Sequence, residues 1–467
     1  MYPSLSAGQF NSSESNFSAA IAASGACQQL QRTLGVSIVQ SKSSGPEYSI
    51  AANAAWSAFN HEVNFQPTCI VFVKSTAHVQ TAMRAIYQNN ADYAVQSGGH
   101  SGMTGWNTIQ DGVLISFSNM NATSYDPHTD TISIQPGINW GNASTIVEPF
   151  GVAPVGGRIS NVGTGLLLGG GLSYLSPSQG YAADNYVSLD VVLVDGTLVT
   201  ATANNQHADI FKALKGGGNR FGIYPNSSAE ALLPAIAHFA HDTNDTNAGV
   251  EPVIQLEMFY NGTVASFNES FAEFLAIPYT SSTAGPLSYL DLVNEVNFPY
   301  GEGNLFSGSV LAGVQSNSHE SSDKLINNYM ETYRLFNNFS ITYANSSEIQ
   351  STLLSFTPVL QSQIRISYEK GGNAISPPMG QGGFNEVLFA VTYSAGVNQA
   401  PESIEQGRQF WIENTPRTAG LPLFVNEADA NQQVLASYGE YNFLRQVYAK
   451  YDPSRFNVRH TPGPLGL

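Results

Sequence analysis

The sequence predicts an α+β fold. Three observations carry this. A β-α-β unit is legible over residues 69–95, and a hairpin over residues 189–200. Elsewhere helix and strand signals mix without regular alternation. A doubly wound sheet would alternate. Its dinucleotide-binding version also fails on spacing. Gly163-x-Gly165 is followed by Gly169, one residue too late for G-x-G-x-x-G, and no β-α-β unit with a ribose-binding acid surrounds it. This argues against NAD.

Residues 1–62 read as a Ser/Asn-rich mobile tail followed by a helix, with Cys27, Leu30 and Leu34 on an apolar stripe. Residues 69–73, Cys-Ile-Val-Phe-Val, read as the first strand. Residues 75–90 read as a helix with Val79, Met83, Ile86 and Tyr87 on one face, and residues 93–95 as the strand that closes the unit. Residues 113–115 are another strand, and residues 131–135 alternate as a half-buried one. The hairpin runs from 189–194 through Asp195-Gly196 to 197–200. From Tyr224 to Glu413 the glycine clusters thin out. Runs at 253–260 and 386–393 read there as strands of a second domain. Residues 371–383, rich in glycine and proline, read as a loop able to line a site. There are no internal repeats.

At 467 residues the chain can bury a sizeable core and form two or three domains. No apolar run is long enough to span a bilayer. Charged residues make up 11% and the net charge is −17, which argues against a nucleic-acid partner. The only two cysteines, Cys27 and Cys69, cannot build a multi-cysteine zinc site, and no metal site is expected. By themselves they read as two buried free thiols. Asn-X-Ser/Thr sequons stand at Asn11, Asn16, Asn121, Asn142, Asn226, Asn244, Asn261, Asn268, Asn338 and Asn345, which points to a secreted glycoprotein. Against this, residues 1–20 lack the basic start and apolar stretch of a signal peptide.

Three glycine loops carry the functional signal. The first is Ser97-Gly98-Gly99-His100-Ser101-Gly102, straight after a strand. The second spans 163–171 with Gly163, Gly169, Gly170 and Gly171. The third spans 216–222. Glycine lets backbone amides approach a bulky partner closely. Three such loops, each beside a strand-like run, point to one extended phosphate-bearing cofactor, with His100 at its reactive end.

In this order the loops resemble the FAD-binding domain of the vanillyl-alcohol oxidase/p-cresol methylhydroxylase superfamily, over about residues 64–223. The residues that carry the likeness are 66–71, 97–101, Val162-Gly163, 169–171, Gly180 with Asp184-Asn185, and 214–223. Residues 438–439, 444–445 and 450–453 resemble the family's C-terminal segment. As a whole the chain resembles a fungal berberine-bridge-enzyme-like oxidoreductase.

The resemblance implies an FAD domain at 63–223 and a substrate domain at 224–413, whose antiparallel sheet is covered by helices. It implies a C-terminal segment, 414–467, returning to the FAD domain. His100 becomes the covalent flavin attachment. Gly98, Gly99, Ser101, Gly102, Gly163, Gly169, Gly170, Gly171, Asp184, Gly222 and Ile223 become cofactor contacts. Some relatives add a cysteine link where this chain has Ile159, so a single link is expected. A Cys27–Cys69 disulfide is also implied, in keeping with an oxidising compartment.

In the family's base region the usual tyrosine is replaced by Glu427, beside Asn426. Desolvation would raise the Glu427 pKa and let it work as a base; alternatively it is a solvated carboxylate or an ion-pair partner. Asn426 is placed to hydrogen-bond the flavin or the substrate. The expected activity is oxidation of an alcohol, a saccharide or a secondary metabolite by a monomer, with electrons passing to O2. A flavin-containing cyclase or isomerase is the alternative. One departure stands out: after Ile223 the chain runs straight into Tyr224-Pro225-Asn226, where the family has a further strand. A segment lost there would leave sheet neighbours unpaired and an inactive remnant.

Overall fold

The computed structural model describes residues 12–232, 237–241, 258–261, 263–276, 283–295, 298, 300–313, 319–380 and 382–467. Four strands open the fold: β1 (Val39–Gln40), β2 (Cys69–Phe72), β3 (Tyr93–Gln96) and β4 (Val113–Ser116). Their order is β1-β2-β4-β3, with β4 parallel to both β2 and β3 and β1 antiparallel at the edge. Parallel strands are covered on both faces, which is why β2 and the first three residues of β4 are unbroken apolar runs. The helices Ser12–Leu34 and Thr76–Asn89 bury Leu30, Val79, Met83 and Ile86 against one face. Tyr48, Ala51 and Ala52 cover the other. Ser75 caps the Thr76–Asn89 helix by accepting from the His78 amide, and Asn90, left-handed at φ 54°, ends it. Tyr87, expected on the buried face, is 39% exposed and lies against Phe456. Cys27 and Cys69 form a disulfide, with Cα atoms 5.9 Å apart.

The second sheet is antiparallel. It holds β5 (Thr123–Asp126), β6 (Thr131–Ile134), β7 (Ala153–Pro154), β8 (Tyr186–Val192), β9 (Leu198–Thr202) and β10 (Ile223–Leu232). The order is β5-β6-β10-β8-β9, and β7 also pairs with β10. The 189–200 hairpin is β8 with β9. The break expected after Ile223 leaves no hole. Residues 223–232 supply a central strand themselves, paired to β8 on one side and β6 on the other. The register slips between Ile223 and Asn226. Pro225, which has no N–H for the ladder, sits in that slip.

Two further antiparallel sheets follow: β11 (Ala237–His241), β12 (Met258–Asn261) and β13 (Thr283–Leu287), then β14 (Gly303–Ala312), β15 (Ile349–Val359) and β16 (Phe384–Tyr393). Their orders are β12-β11-β13 and β14-β16-β15. Of the strand expected at 253–260, residues 253–257 lie outside the described residues, as do residues 1–11 of the N-terminal tail. Strand β16 sends Val387, Phe389, Val391 and Tyr393 to the helices His319–Tyr343 and Glu402–Asn414. Alternation turns Glu386 to the opposite face.

The C-terminal residues pack back on the glycine-rich half. Arg220, 4% exposed, donates to the carbonyls of Asn457, Thr461, Gly463 and Pro464.

Candidate active site

The glycine loops are brought together by glycines that nothing larger could replace. Gly98 and Gly163 meet backbone to backbone. A Cβ on Gly98 would lie 2.6 Å from Gly163 Cα, and one on Gly163 would lie 2.5 Å from Gly98 N. Gly170 and Gly216, both at positive φ, close on the same Ile375 side chain from the 371–383 loop. That expected loop therefore joins the second and third glycine loops, and Ile375 is 1% exposed. Gly165, by contrast, has no described atom within 4 Å of its Cβ direction.

Not every predicted cofactor contact faces outward. Asp184 is 3% exposed and accepts from the Tyr181 amide and the Asn373 side chain. Its turn donates from Ala182 and Ala183 to the carbonyls of Gly171 and Gly170. Asp184 thus shapes the second loop from behind. Ile223 buries its side chain in the core beside Val192, so only its backbone is left for a ligand. Gly222, at φ +139°, lies tight against Val191 and Val192. Ser101 Oγ accepts from the Met103 amide.

His100 ends the first loop against Trp56, ring on ring at 4.3 Å. Burial pushes its pKa down to about 4, against smaller opposing pulls from its own backbone and then the Asn161 side chain. Its Nε2 is buried with no hydrogen-bond partner among the described residues.

The second half of the site comes from residues 424–432. Asn426 donates to the Leu166 carbonyl and packs on Gly169, where a Cβ would lie 1.9 Å from its Oδ1. Gln432 exchanges two hydrogen bonds with the Gly308 backbone on β14. Arg408, 4% exposed in its side chain, reaches Asp429 Oδ2 at 2.7 Å and also binds the Phe306 carbonyl and Ser307. These bonds fix Glu427. Its Oε2 is buried without a partner among the described residues, and its Oε1 lies 3.7 Å from Arg158. Burial raises the Glu427 pKa, with Arg158 opposing.

Strand β14 relates the two halves. Phe306 meets Trp56 and Gly102, and Gly308 meets Glu427 and Ala428. Positions two apart share a face and sit about 7 Å from each other. The His100 and Glu427 loops therefore adjoin one face of one strand.

Sequence reasoning missed Glu386. It is 2% exposed, and neither carboxyl oxygen has a partner among the described residues. Burial raises its pKa well above the usual glutamate range, the Glu427 charge adds to this, and Arg417 opposes. Tyr181 and Tyr438 also feel its charge, and burial pushes both phenols up. The only signal in the sequence was a charge on the inward side of an alternating strand.

The arrangement suits a flavin. A buried imidazole nitrogen ends one glycine loop, that loop meets the second backbone to backbone, the second and third share Ile375, and the Glu427 carboxyl is desolvated. Residues 67–202 match a family model described as an FAD binding domain. An FAD-linked oxidoreductase of Arthroderma benhamiae is 28% identical over 79% of this chain and 80% of its own length. The chain is an FAD-linked oxidoreductase. An FAD-dependent monooxygenase of Arthrobotrys oligospora is 29% identical over 83% of this oxidoreductase and 80% of that protein. The structure of a carbohydrate oxidase from Microdochium nivale superimposes with a TM-score of 0.72 at 18% identity, covering 95% of this chain and all of that one (100%). The oxidoreductase thus has the p-cresol-methylhydroxylase-type α+β fold. Among its described residues no helix is long and apolar enough to cross a membrane.

Proposed function

We propose that the protein is an oxidase. A hydroxyl-bearing substrate, either a saccharide or a secondary metabolite, gives hydride to FAD bound covalently at His100, and O2 takes the electrons to give H2O2. Bound flavin supplies the hydride acceptor and the route to dioxygen. The protein supplies the rest. The backbones of Gly98, Gly99, Gly102, Gly163, Gly169, Gly170, Gly171, Gly222 and Ile223 would cradle the cofactor, with Ser101 beside them. Both cysteines are bridged, so no thiol remains for a second flavin link.

The observation that carries this reading is the buried, partnerless Glu427 Oε2 beside Asn426, which itself touches Gly169. A desolvated carboxylate there takes the substrate proton as hydride leaves. Tyr181 and Tyr438 do not compete for that role, because burial shifts their pKa values the wrong way for a base. Burial first and the Glu427 charge second raise the Glu386 pKa, which disfavours a second negative charge beside Glu427. The intact β6-β10-β8 ladder supports an active enzyme over a remnant.

The disulfide and the exposed sequon asparagines 121, 142, 268, 338 and 345 favour a secreted glycoprotein. Anaerobic stopped-flow tests the base. Glu427→Gln should keep its flavin and slow flavin reduction by about 10²–10⁴-fold, with reoxidation unchanged. Reduction at wild-type speed would remove Glu427 from the reaction. Substrate turnover without peroxide would favour a cyclase or isomerase.

A further inference from the structure

Trp56 lies flat on His100, with an angle of 4° between the ring planes. The indole is 4% exposed, and its segment is fastened on both sides. On the cofactor side the Trp56 amide donates to the Gly99 carbonyl at 2.9 Å. Asn60 donates to the Met103 carbonyl and accepts from the Gly105 amide. On the substrate side Ser57 Oγ donates to the Asn304 carbonyl and accepts from the Asn304 amide, and Ala58 N donates to Glu302 O. Phe306 closes against the indole at 5.6 Å, in space that Gly102 leaves free. The indole is therefore a fixed plate clamped between two parts of the fold.

A stacked plate covers one face of the imidazole and leaves the ring edge to other partners. The edge carries the nitrogens, and Nε2 is the one without a partner among the described residues. An indole serving only as core filler would have no need to lie coplanar with a polar ring. Coplanarity fixes the plane of the ring and with it the direction of its edge, and the indole covers one face.

We propose that Trp56 is a positioning residue for flavin attachment: it holds the His100 ring in one plane and covers one of its faces, so that the ring edge meets the flavin in a single orientation. The proposal rests on the reading of His100 as the attachment point. In that step the imidazole N–H and one C–H of the flavin 8α-methyl are lost, and one N–C bond forms. The two electrons and two protons leave to dioxygen, giving hydrogen peroxide. Burial lowers the His100 pKa to about 4, which favours the neutral ring. Trp56 forms one wall of that burial.

The test uses apoprotein made under riboflavin limitation and then given FAD. Flavin that stays with acid-precipitated protein is followed over time from pH 4 to 8. Trp56→Leu removes the plate but stays apolar; Trp56→Phe keeps a flat ring. Non-covalent FAD affinity, read by quenching of flavin fluorescence, checks that each variant folds. The expected result for Trp56→Leu is incorporation slowed about 10-fold or more, in line with the loss of a stacking contact and of orientation. Its acid limb should move up toward the ordinary histidine range, and Trp56→Phe should stay close to wild type. Incorporation by Trp56→Leu at the wild-type rate with an unmoved acid limb would overturn the proposal. So would equal slowing of both variants with no change in pH profile, because that marks general packing. Absence of acid-stable flavin in the wild type would instead overturn the His100 reading, and this proposal with it.

Discussion

Replacing Glu386 by glutamine should make the protein more stable as pH rises. The group is 2% exposed, and neither oxygen has a hydrogen-bond partner among the described residues. Burial raises its pKa first and the Glu427 charge second. In the unfolded chain it would release its proton near the ordinary value of 4.5. The folded protein keeps that proton to higher pH. Between those two values the folded state holds one proton more than the unfolded state, so rising pH favours unfolding. The loss is about 1.4 kcal/mol per pH unit, and it ends once the folded group ionises. Glutamine has no proton to lose. Two pH units inside that window therefore separate variant from wild type by about 3 kcal/mol. A chain of this size is best followed by inactivation rate or by apparent Tm at a fixed scan rate, from pH 4.5 to 8. The stability gap should widen with pH and then level. A gap independent of pH would refute a buried, protonated Glu386.

Two other perturbations test the frame. Changing both Cys27 and Cys69 to Ser opens a loop with a sequence separation of 42, and should cost about 4 kcal/mol in the chain-entropy picture. Thermal inactivation of folded protein at the wild-type rate would contradict it. Gly98→Ala puts a methyl 2.6 Å from Gly163 Cα, so the two loops must part, and FAD affinity should fall at least about 10-fold by fluorescence titration.

Much of the fold was legible because it follows period. The alternation of β6 and the 3.6-residue stripe of the Thr76–Asn89 helix each mark a buried face. The glycines 163, 169, 170 and 171 stood out as a cluster, although the close contacts of the first three, with Gly98, Asn426 and Ile375, lie far away in sequence. What was not legible depends on contacts distant in sequence. Tyr87 sits at the margin of its helical stripe and meets Phe456 across the fold. Asp184, read as a cofactor contact, also accepts from Asn373, 189 positions away in sequence. Residues 224–232 did not match the expected strand, but the β6 and β8 edges recruit them, and Pro225 is absorbed by a register slip. Glu386 could not be told from a solvated charge until β16 had a covered face and an inner face. Trp56 gave no signal by itself, because its meaning is its stack on His100.

The central claim is that His100 carries the flavin. Wild-type protein is precipitated in acid, digested, and mapped by mass spectrometry. The account predicts that the yellow colour stays in the pellet and that the flavin mass falls on the peptide containing His100. It also predicts that His100→Ala releases all flavin to the supernatant. Flavin bonded to another residue, or released entirely from the wild type, would contradict it.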